Sequence, residues 1–370
     1  MTSDPIAESF VEDVGSAGLI VTCGPGGVGK TTTAAALGVA AARAGRRVVV
    51  VTVDPARRLA DALGLDEGAA ADAPHQVTGV SGVGDGELWA LMLDAASTFD
   101  RLVREQTSSV KQADAILENP VYRAISGSLS GAQEYMAIER LHQLHTSGEW
   151  DLVIVDTPPS RHAIDLLEAP DRLIGFLGHP VYRTLTAGQR AFAKVTNAAA
   201  SMFLWAVRRL AGPQIVEDTV EFFRSLANIE PGLRSRAEEV SVLLRSPAAT
   251  FVVVSSPRAE AVGEAEHLIG ALRHGDFPFA GVVVNLIHPM PEQLTPADRA
   301  ALADIGDGPL ADHVAWHDEL TDLATAERDE IAILADLAED VVVVELPLMS
   351  VDVHDVEGLI GLADRLVGGN

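Results

Sequence analysis

A glycine-rich segment from Gly24 to Thr31 carries the clearest chemistry in the sequence. It reads GPGGVGKT, which fits the pattern GxxxxGK followed by Ser or Thr, and it stands between an apolar β-branched run and an Ala-rich helical segment. In that setting glycine amides approach phosphate oxygens, the helix N-terminus adds positive potential, and the lysine reaches the β and γ phosphates of a nucleotide. The alternative is a glycine-rich turn beside a chance lysine. The pattern predicts a phosphate-binding loop whose contact residues are Gly26, Gly27, Val28, Gly29, Lys30, Thr31 and Thr32.

Three oxygen-bearing side chains predict that the site also binds a divalent ion. Thr31 directly follows the loop lysine, and a hydroxyl at that position ligates Mg²⁺. Asp156 ends the run DLVIVD, and a carboxylate there holds the Mg²⁺ shell through water. Asp54 follows the run 47–53; if both strands neighbour the loop, it would face the γ phosphate and orient or deprotonate the attacking water. A helix N-cap is the alternative role for either aspartate. We predict Lys30 and Asp54 as catalytic residues, and Thr31 and Asp156 as the metal-binding pair.

Six short, apolar, β-branched runs and one further predicted strand, Leu88 to Leu93, are the elements that must position these residues. The runs are continuous rather than alternating, as expected for strands that helices cover on both faces of a parallel sheet. Ala- and Leu-rich segments with helical spacing lie between them, for instance Thr31 to Ala44 and Arg258 to Leu272. This alternation predicts an α/β fold with a doubly wound, mostly parallel sheet. The predicted strands span residues 19–23, 47–53, 88–93, 151–156, 250–255, 281–286 and 340–346.

Long segments without strand patterns predict a helical lobe inserted into this fold. The Gly-rich residues 66–87 predict a mobile connection, and residues 291–336 predict a third, more polar helical excursion. The acidic N-terminus is predicted to be flexible. The predicted boundaries are 1–17 for that terminus, 18–94, 147–168 and 247–370 for the nucleotide-binding domain, and 95–146 with 169–246 for the helical subdomain.

Charge and hydropathy limit the partners of the chain. It holds 27 basic and 53 acidic residues, for a formal net charge of −26. Such a surface repels phosphate backbones and anionic lipids, so we predict no nucleic-acid binding. The longest lipid-like stretch, Ala198 to Val207, has about half of the ~20 residues that a bilayer requires. The N-terminus also lacks the pattern of a secretory signal. We therefore expect a cytoplasmic protein without direct membrane insertion.

Three segments together resemble one family. GPGGVGKTT, DPARRLADALG and DTPPSRHAIDLL are similar to the deviant P-loop ATPases of the ArsA/Get type, the arsenite-pump and guided-entry ATPases. The resemblance covers nearly the whole chain and implies a P-loop NTPase fold of the deviant Walker A group that binds ATP and Mg²⁺. It also implies that the segment from Asp54 is the first switch and the segment from Asp156 the second. Asn285 would read the purine edge, and the loop around Pro347 would cover the base; a strand-end turn residue is the other interpretation of Asn285.

The sequence departs from that family at the loop and at both switches. Pro25 occupies the place of a second loop lysine that members usually carry, and the resemblance implies an actinobacterial-type member that lacks this signature lysine. Arg57 and Arg58 stand where the family commonly has His and a small polar residue, and Arg161 replaces a glycine. One of these arginines, or a residue of a different partner subunit, could supply the missing transition-state charge. Solvated arginines on an acidic surface are the alternative.

The resemblance implies a dimeric, Mg-dependent ATPase switch whose nucleotide state moves the helical lobe. The dimer would be a homodimer or a heterodimer with a homologous ATPase subunit. A nucleotide-binding scaffold with weak turnover, acting as one half of a heterodimer, is the main alternative. Guided-entry members shield an apolar helix of a membrane-protein client, and the candidate surface here runs from Gly175 to Leu210. Ordinary lobe core is the other interpretation of its apolar residues, which are Phe176, Leu177, Phe192, Met202, Phe203, Leu204 and Trp205.

Cysteine content and the C-terminal charges argue against three related classes of P-loop protein. Cys23 is the only cysteine, so the chain cannot offer the three thiolates that arsenite capture uses. It also lacks the pair of thiolates per subunit that a bridged iron–sulfur cluster would need. A partition-type ATPase calls for a basic patch or a basic amphipathic C-terminus. The C-terminus, VEGLIGLADRLVGGN, holds one Arg against two acidic residues.

Overall fold

Eight strands form one sheet in a computed structural model of the chain. The structure describes residues 5–53, 58–63, 72–80, 82, 86–107, 109–119, 132–180, 182–183, 222, 227, 229–303, 309–337 and 342–368. All seven predicted strands are present, and one further strand was not predicted. The strands are β1 (Leu19–Cys23), β2 (Arg47–Thr52), β3 (His75–Val77), β4 (Glu87–Met92), β5 (Leu152–Asp156), β6 (Ala249–Ser255), β7 (Phe279–Ile287) and β8 (Val342–Pro347).

The strand order places the glycine-rich segment at the centre of the sheet. The order is β3-β4-β2-β5-β1-β6-β7-β8, and β3, paired antiparallel with β4, is the one strand among these that is not parallel to its neighbours. The strands β2 and β5 lie on one side of β1, and β6 to β8 lie on the other. The direction of winding therefore reverses at β1, and the crevice at such a reversal is where open α/β sheets bind ligands.

Helices cover both faces of the sheet, which confirms the predicted doubly wound α/β fold. Leu19 and Val21 of β1 belong to one buried cluster and Ile20 to the other. Within the described residues, none of the helices is both long and apolar enough to cross a bilayer. The helices are α1 (Pro5–Ser16), α2 (Lys30–Arg43), α3 (Arg58–Ala62), α4 (Ala95–Gln106), α5 (Val110–Leu117), α6 (Ala132–Thr146), α7 (Ser160–Gly178), α8 (Glu230–Leu244), α9 (Ala259–His274), α10 (Pro296–Ala303), α11 (Pro309–Leu337) and α12 (Val356–Gly368).

A third buried cluster lies among helices rather than against the sheet. It combines side chains from α4, α5, α6, α7 and α8, with Tyr182 and Phe222 added from short described segments. Inside it, the fully buried carboxylate of Glu139 is paired with Arg236 of α8, so the helices are joined by charge as well as by apolar packing.

Two segments differ from the prediction made for them. The N-terminus was predicted to be flexible, but from Pro5 it forms α1, because Phe10 and Val14 lie one helical turn apart and are both buried. Residues 66–87 were predicted to be a connection, but they contain β3, which is only three residues long and is stabilised by its pairing with β4. The polar residues 291–336 form α10 and the long helix α11, which packs on α9, β7 and β8.

A buried carboxylate joins the segment before β3 to α4 and α6. Asp72 accepts a hydrogen bond from Nη1 of Arg101 at 2.7 Å and lies 3.4 Å from Nε of Arg140. Its own amide donates to the carbonyl oxygen of Met92 at the end of β4. Burial, together with the charge of Arg101, lowers the pKa of the Arg140 guanidinium below its ordinary value. One carboxylate therefore neutralises part of the charge of two arginines from different helices.

The first testable prediction concerns the packing of α1. Phe10 is completely buried beside Gly281 of β7, where a Cβ would lie 2.9 Å from its ring. Replacing it (Phe10→Ala) should lower the free energy of unfolding by about 3–5 kcal/mol, because the substitution leaves a cavity under the sheet. Denaturant unfolding measures this. Phe10→Leu, which keeps most of the volume, should cost much less, and an unchanged midpoint for Phe10→Ala would show that α1 is not part of the folded core.

Candidate functional site

The main chain after β1 adopts a conformation that requires glycine at two positions. At Gly24 (φ 154°), a Cβ would lie 1.9 Å from the carbonyl oxygen of Val254 in β6. Gly29, with φ 90°, is the N-cap of α2, and a Cβ there would lie 2.3 Å from Nδ2 of Asn285. A side chain at either position would therefore separate the loop from its neighbours. The loop between them ends at the N-terminus of α2, where main-chain amides and the helix dipole favour an anion.

Lys30 lies across this loop. It is the first residue of α2, its side chain is 8% exposed, and its Nζ donates a hydrogen bond to the carbonyl oxygen of Pro25 at 2.7 Å. Pro25 has no charge, but its carbonyl holds the ammonium group of Lys30 over the loop. The positive charge is thereby placed beside the amides that would bind phosphate, as the predicted role of Lys30 requires.

Thr31 and Asp156 meet at the switch point of the sheet. Oγ1 of Thr31 donates to Oδ2 of Asp156 at 2.6 Å, and Oγ1 of Thr52 donates to the same oxygen at 3.1 Å. Asp156 is 1% exposed and is in register with Thr22 of β1 and Thr52 of β2. A hydroxyl and a carboxylate at this spacing are hard oxygen donors, which suit Mg²⁺ with phosphate and water as the remaining ligands. The donor set therefore fits the predicted Mg²⁺ site.

The predicted first switch is only partly described. Asp54 and Arg57 lie outside the described residues. Of the two strands that carry the predicted aspartates, β5 is the direct neighbour of β1, and β2, the strand before Asp54, lies one strand further away. The role of Asp54 stays a prediction. Arg58 begins α3, and Arg161 lies in the first turn of α7.

Asn285 contacts the loop from the other side of β1. Its Nδ2 donates to the carbonyl oxygen of Val28 at 3.0 Å, and its side chain is buried. Pro347 is the last residue of β8 and is in register with Ile287 of β7. The two residues predicted to contact the base therefore lie at adjacent strand ends, and one of them is bonded to the phosphate loop itself.

A cleft of 270 Å³ opens at this edge of the sheet. Several of its residues were not predicted as site residues. Thr157 and Asp61 could have been inferred, since Thr157 directly follows Asp156 and Asp61 lies in the segment DPARRLADALG, whereas Val353 and His354 come from a distant segment and carry no motif. The lining residues are Gly26, Gly27, Gly29, Lys30, Thr31, Thr32, Asp61, Ala62, Thr157, Pro159, Val353 and His354. A larger cavity of 510 Å³ lies between α7, α8 and α9 and includes none of the predicted site residues.

Comparison with known proteins agrees with this geometry. The model of the family described as anion-transporting ATPase matches residues 18–299, from the start of β1 into α10. The chain belongs to this family. The glycine-rich loop and both predicted switch segments lie within the matched residues.

The chain matches different fractions of the length of its relatives. ATPase GET3 of Malassezia globosa is 25% identical over 346 residues, covering 93% of this chain and 89% of that protein. ATPase GET3C of Arabidopsis thaliana is 28% identical over 284 residues, covering 73% of this chain and 66% of that protein. ATPase ARSA1 of Chlamydomonas reinhardtii is also 28% identical over 284 residues, but the match covers 34% of its length. The chain thus spans between a third and nine tenths of these proteins.

The cysteine of this family member is not poised to bind a soft ion. Cys23 ends β1, is fully buried, and lies with Sγ 3.8 Å from the carbonyl oxygen of Val252. Burial raises the pKa of its thiol to about 12. Since the thiolate is the form that binds soft metals and metalloids, a thiol with this pKa is a poor ligand at neutral pH.

The position of Lys30 leads to the second prediction. Lys30→Ala removes the ammonium group that lies over the loop, so the affinity for Mg·ATP in titration calorimetry should fall about 10- to 100-fold. Lys111→Ala is the matched control, because it removes the same group from an exposed position on α5. Equal heats of binding for both variants and the unmodified protein would contradict the assigned role of Lys30.

Proposed function

We propose that this chain is a Mg-dependent ATP-binding and ATP-hydrolysing switch whose nucleotide state moves its helical lobe. The observation that carries this proposal is the contact between the Thr31 hydroxyl and the Asp156 carboxylate, at the end of a loop whose Pro25 carbonyl accepts a hydrogen bond from the Lys30 ammonium group. The three groups lie at the switch point of the sheet, where a triphosphate and its metal ion would be held. The nucleotide is ATP in this proposal because the family is one of ATPases.

Each described group has a defined task in hydrolysis. Loop amides and Lys30 bind the phosphates and neutralise charge on their oxygens, which is the main demand of phosphoryl transfer. Thr31 and Asp156 would hold Mg²⁺, which when bound adds positive charge next to the β and γ phosphates. In the proposal Asp54 orients the water that attacks the γ phosphorus, and ADP leaves from the opposite side. The pairing of Thr31 with Asp156 holds the two proposed metal-binding groups next to each other.

The third prediction tests the metal-binding role of Thr31. Thr31→Val keeps the shape but removes the hydroxyl, so turnover at a fixed Mg²⁺ concentration should fall about 100-fold, and more Mg²⁺ should be needed for half-maximal rate. Thr31→Ser restores the hydroxyl and should recover most of the turnover. The measurement is phosphate release against Mg²⁺ concentration. A Val variant with unmodified turnover and Mg²⁺ dependence would exclude this site.

The resemblance to guided-entry ATPases favours a dimer as the working form. The loop has only one lysine, because Pro25 contributes a carbonyl where the family usually has a second cation. We therefore propose that a second subunit, either another copy or a homologous ATPase subunit, completes the charge at the γ phosphate. Without the right partner the chain would bind ATP and hydrolyse it slowly, as the weak-turnover alternative also holds.

The fourth prediction distinguishes a single chain, a homodimer and a heterodimer. Light scattering and phosphate release are measured with and without Mg·ATP, and with and without a homologous ATPase subunit. If the chain dimerises, the mass of the particle should double when Mg·ATP is added. If the dimer is a heterodimer, turnover should also rise when the homologous subunit is present. Rapid turnover by a pure homodimer would contradict the heterodimer form, and a single-chain mass under every condition would contradict the dimer.

The proposed client is an apolar helix of a membrane protein. Of the apolar residues predicted to form the surface for it, Phe176 is 47% exposed on α7, which supports the proposal, whereas Leu177 is fully buried in the helical cluster and belongs to the core. The other five lie outside the described residues. Retention of a labelled apolar helical peptide by the ATP-bound dimer, and not by the nucleotide-free chain, would support this role.

A further inference from the structure

Glu327 is a buried carboxylate that the proposed phosphate chemistry does not use. It lies on α11 with its side chain 8% exposed. Its Oε2 accepts a hydrogen bond from the main-chain N–H of His288 at 2.8 Å, and its Oε1 lies 2.7 Å from Nδ1 of the His288 ring. A buried carboxylate is costly unless its oxygens are bonded. Here both oxygens contact a single residue, which lies directly after β7.

The chain just before His288 has an unusual conformation. Leu286 has φ 68°, in the left-handed region that a side chain of this size rarely adopts. The pairing of β7 with β8 is also irregular, because the register shifts between Val284 and Ile287. Bulges of this kind turn a side chain in a new direction and are frequent beside active sites. Asn285 lies within this irregular stretch, and we call residues 285–288 the β7 turn.

Contacts from three directions hold the β7 turn in this conformation. Asn285 donates to the carbonyl oxygen of Val28 in the phosphate loop, and the amide of Leu348 donates to the carbonyl oxygen of Ile287 at 2.7 Å. The contact from Glu327 to His288 is the one that α11 supplies. A strained residue persists only when its surroundings fix it. Loss of the Glu327 contact would therefore let Leu286 relax and would change the direction of the Asn285 side chain.

The contact with Val28 also assigns the oxygen and the nitrogen atoms of the Asn285 side-chain amide. A carbonyl oxygen only accepts hydrogen bonds, so the group facing Val28 is the NH₂ group, and the other polar end of the side chain is the acceptor Oδ1. An acceptor matches the exocyclic amino group of adenine. It is repelled by the carbonyl oxygen that guanine carries at the same position.

We propose that Glu327 is a positioning residue for base recognition: by fixing the β7 turn from α11, it holds the Asn285 acceptor where adenine is preferred to guanine. Glu327 does not touch the nucleotide. This inference rests on the proposed function, since it requires that the cleft binds a purine nucleotide. It gives the long polar helix α11 a task that no motif in the sequence revealed.

The test compares three ligands that share a triphosphate. Calorimetry measures the binding of Mg·ATP, Mg·GTP and Mg·tripolyphosphate to the unmodified protein and to the variants Glu327→Ala and Asp329→Ala. The second variant is the control, because Asp329 is an exposed carboxylate of the same helix. Glu327→Ala should bind ATP about three- to tenfold more weakly, the value of one hydrogen bond, with tripolyphosphate unchanged and the ratio of ATP to GTP affinity reduced. Asp329→Ala should keep the original ratio. In an Asn285→Ala background, Glu327→Ala should cause no further change, because both act through one contact.

Glu327→Gln keeps an acceptor for the His288 amide but loses the charge, so its affinity ratio should lie between those of the unmodified protein and Glu327→Ala. It decides the question if Glu327→Ala does not fold. The original ratio in every folded Glu327 variant would overturn the inference. So would an equal loss for all three ligands, which would mean a general structural role. If the unmodified protein binds no nucleotide, it is the proposed function that fails.

Discussion

The hydrogen bond between Thr31 and Asp156 is the interaction on which the rest of the site depends. It connects the first turn of α2 to the end of β5, across the point where the sheet changes its direction of winding. Asp156 is almost fully buried, so its carboxylate requires hydroxyl donors, and the sheet supplies a second one from Thr52. The amides of the loop and the Asp156 carboxylate therefore lie at the same end of the central strands.

The central sheet and the phosphate loop were predictable because their signals are local. Continuous β-branched runs identify buried parallel strands, and the loop motif lies between β1 and α2 where its chemistry requires it. β3 was missed because a strand of three residues has too short a pattern to recognise, and it exists through its pairing with β4. α1 was missed because its acidic composition concealed the two apolar residues that face the sheet.

The contacts between distant segments were beyond sequence reasoning for a different reason. Asn285 was selected by resemblance as a base-reading residue, but its bond to Val28 depends on an irregular turn that no residue pattern encodes. Glu327 carried no signal at all, since an acidic residue on a polar helix is usually a solvated one. Its importance arises only once α11 packs against β7. Tertiary packing, rather than propensity, determines these contacts.

Charge is distributed unevenly between the molecule and its site. The chain as a whole carries a formal charge of −26. A triphosphate is therefore repelled at long range and attracted only near the loop, where amides and Lys30 act at short distance. Such a site selects ligands by close geometric fit rather than by general attraction, in agreement with a Mg-bound nucleotide as the partner.

The buried Asp72 has a mechanical consequence. It lies on the chain between α3, which borders the nucleotide cleft, and β3, and it is held by arginines from α4 and α6. If the chain after α3 shifts when phosphate is lost, either both helices move with it or a buried anion is left without its cations, and the second outcome is the more costly. In such a transition α4 and α6 would travel as a pair, because Asp72 contacts an arginine of each helix.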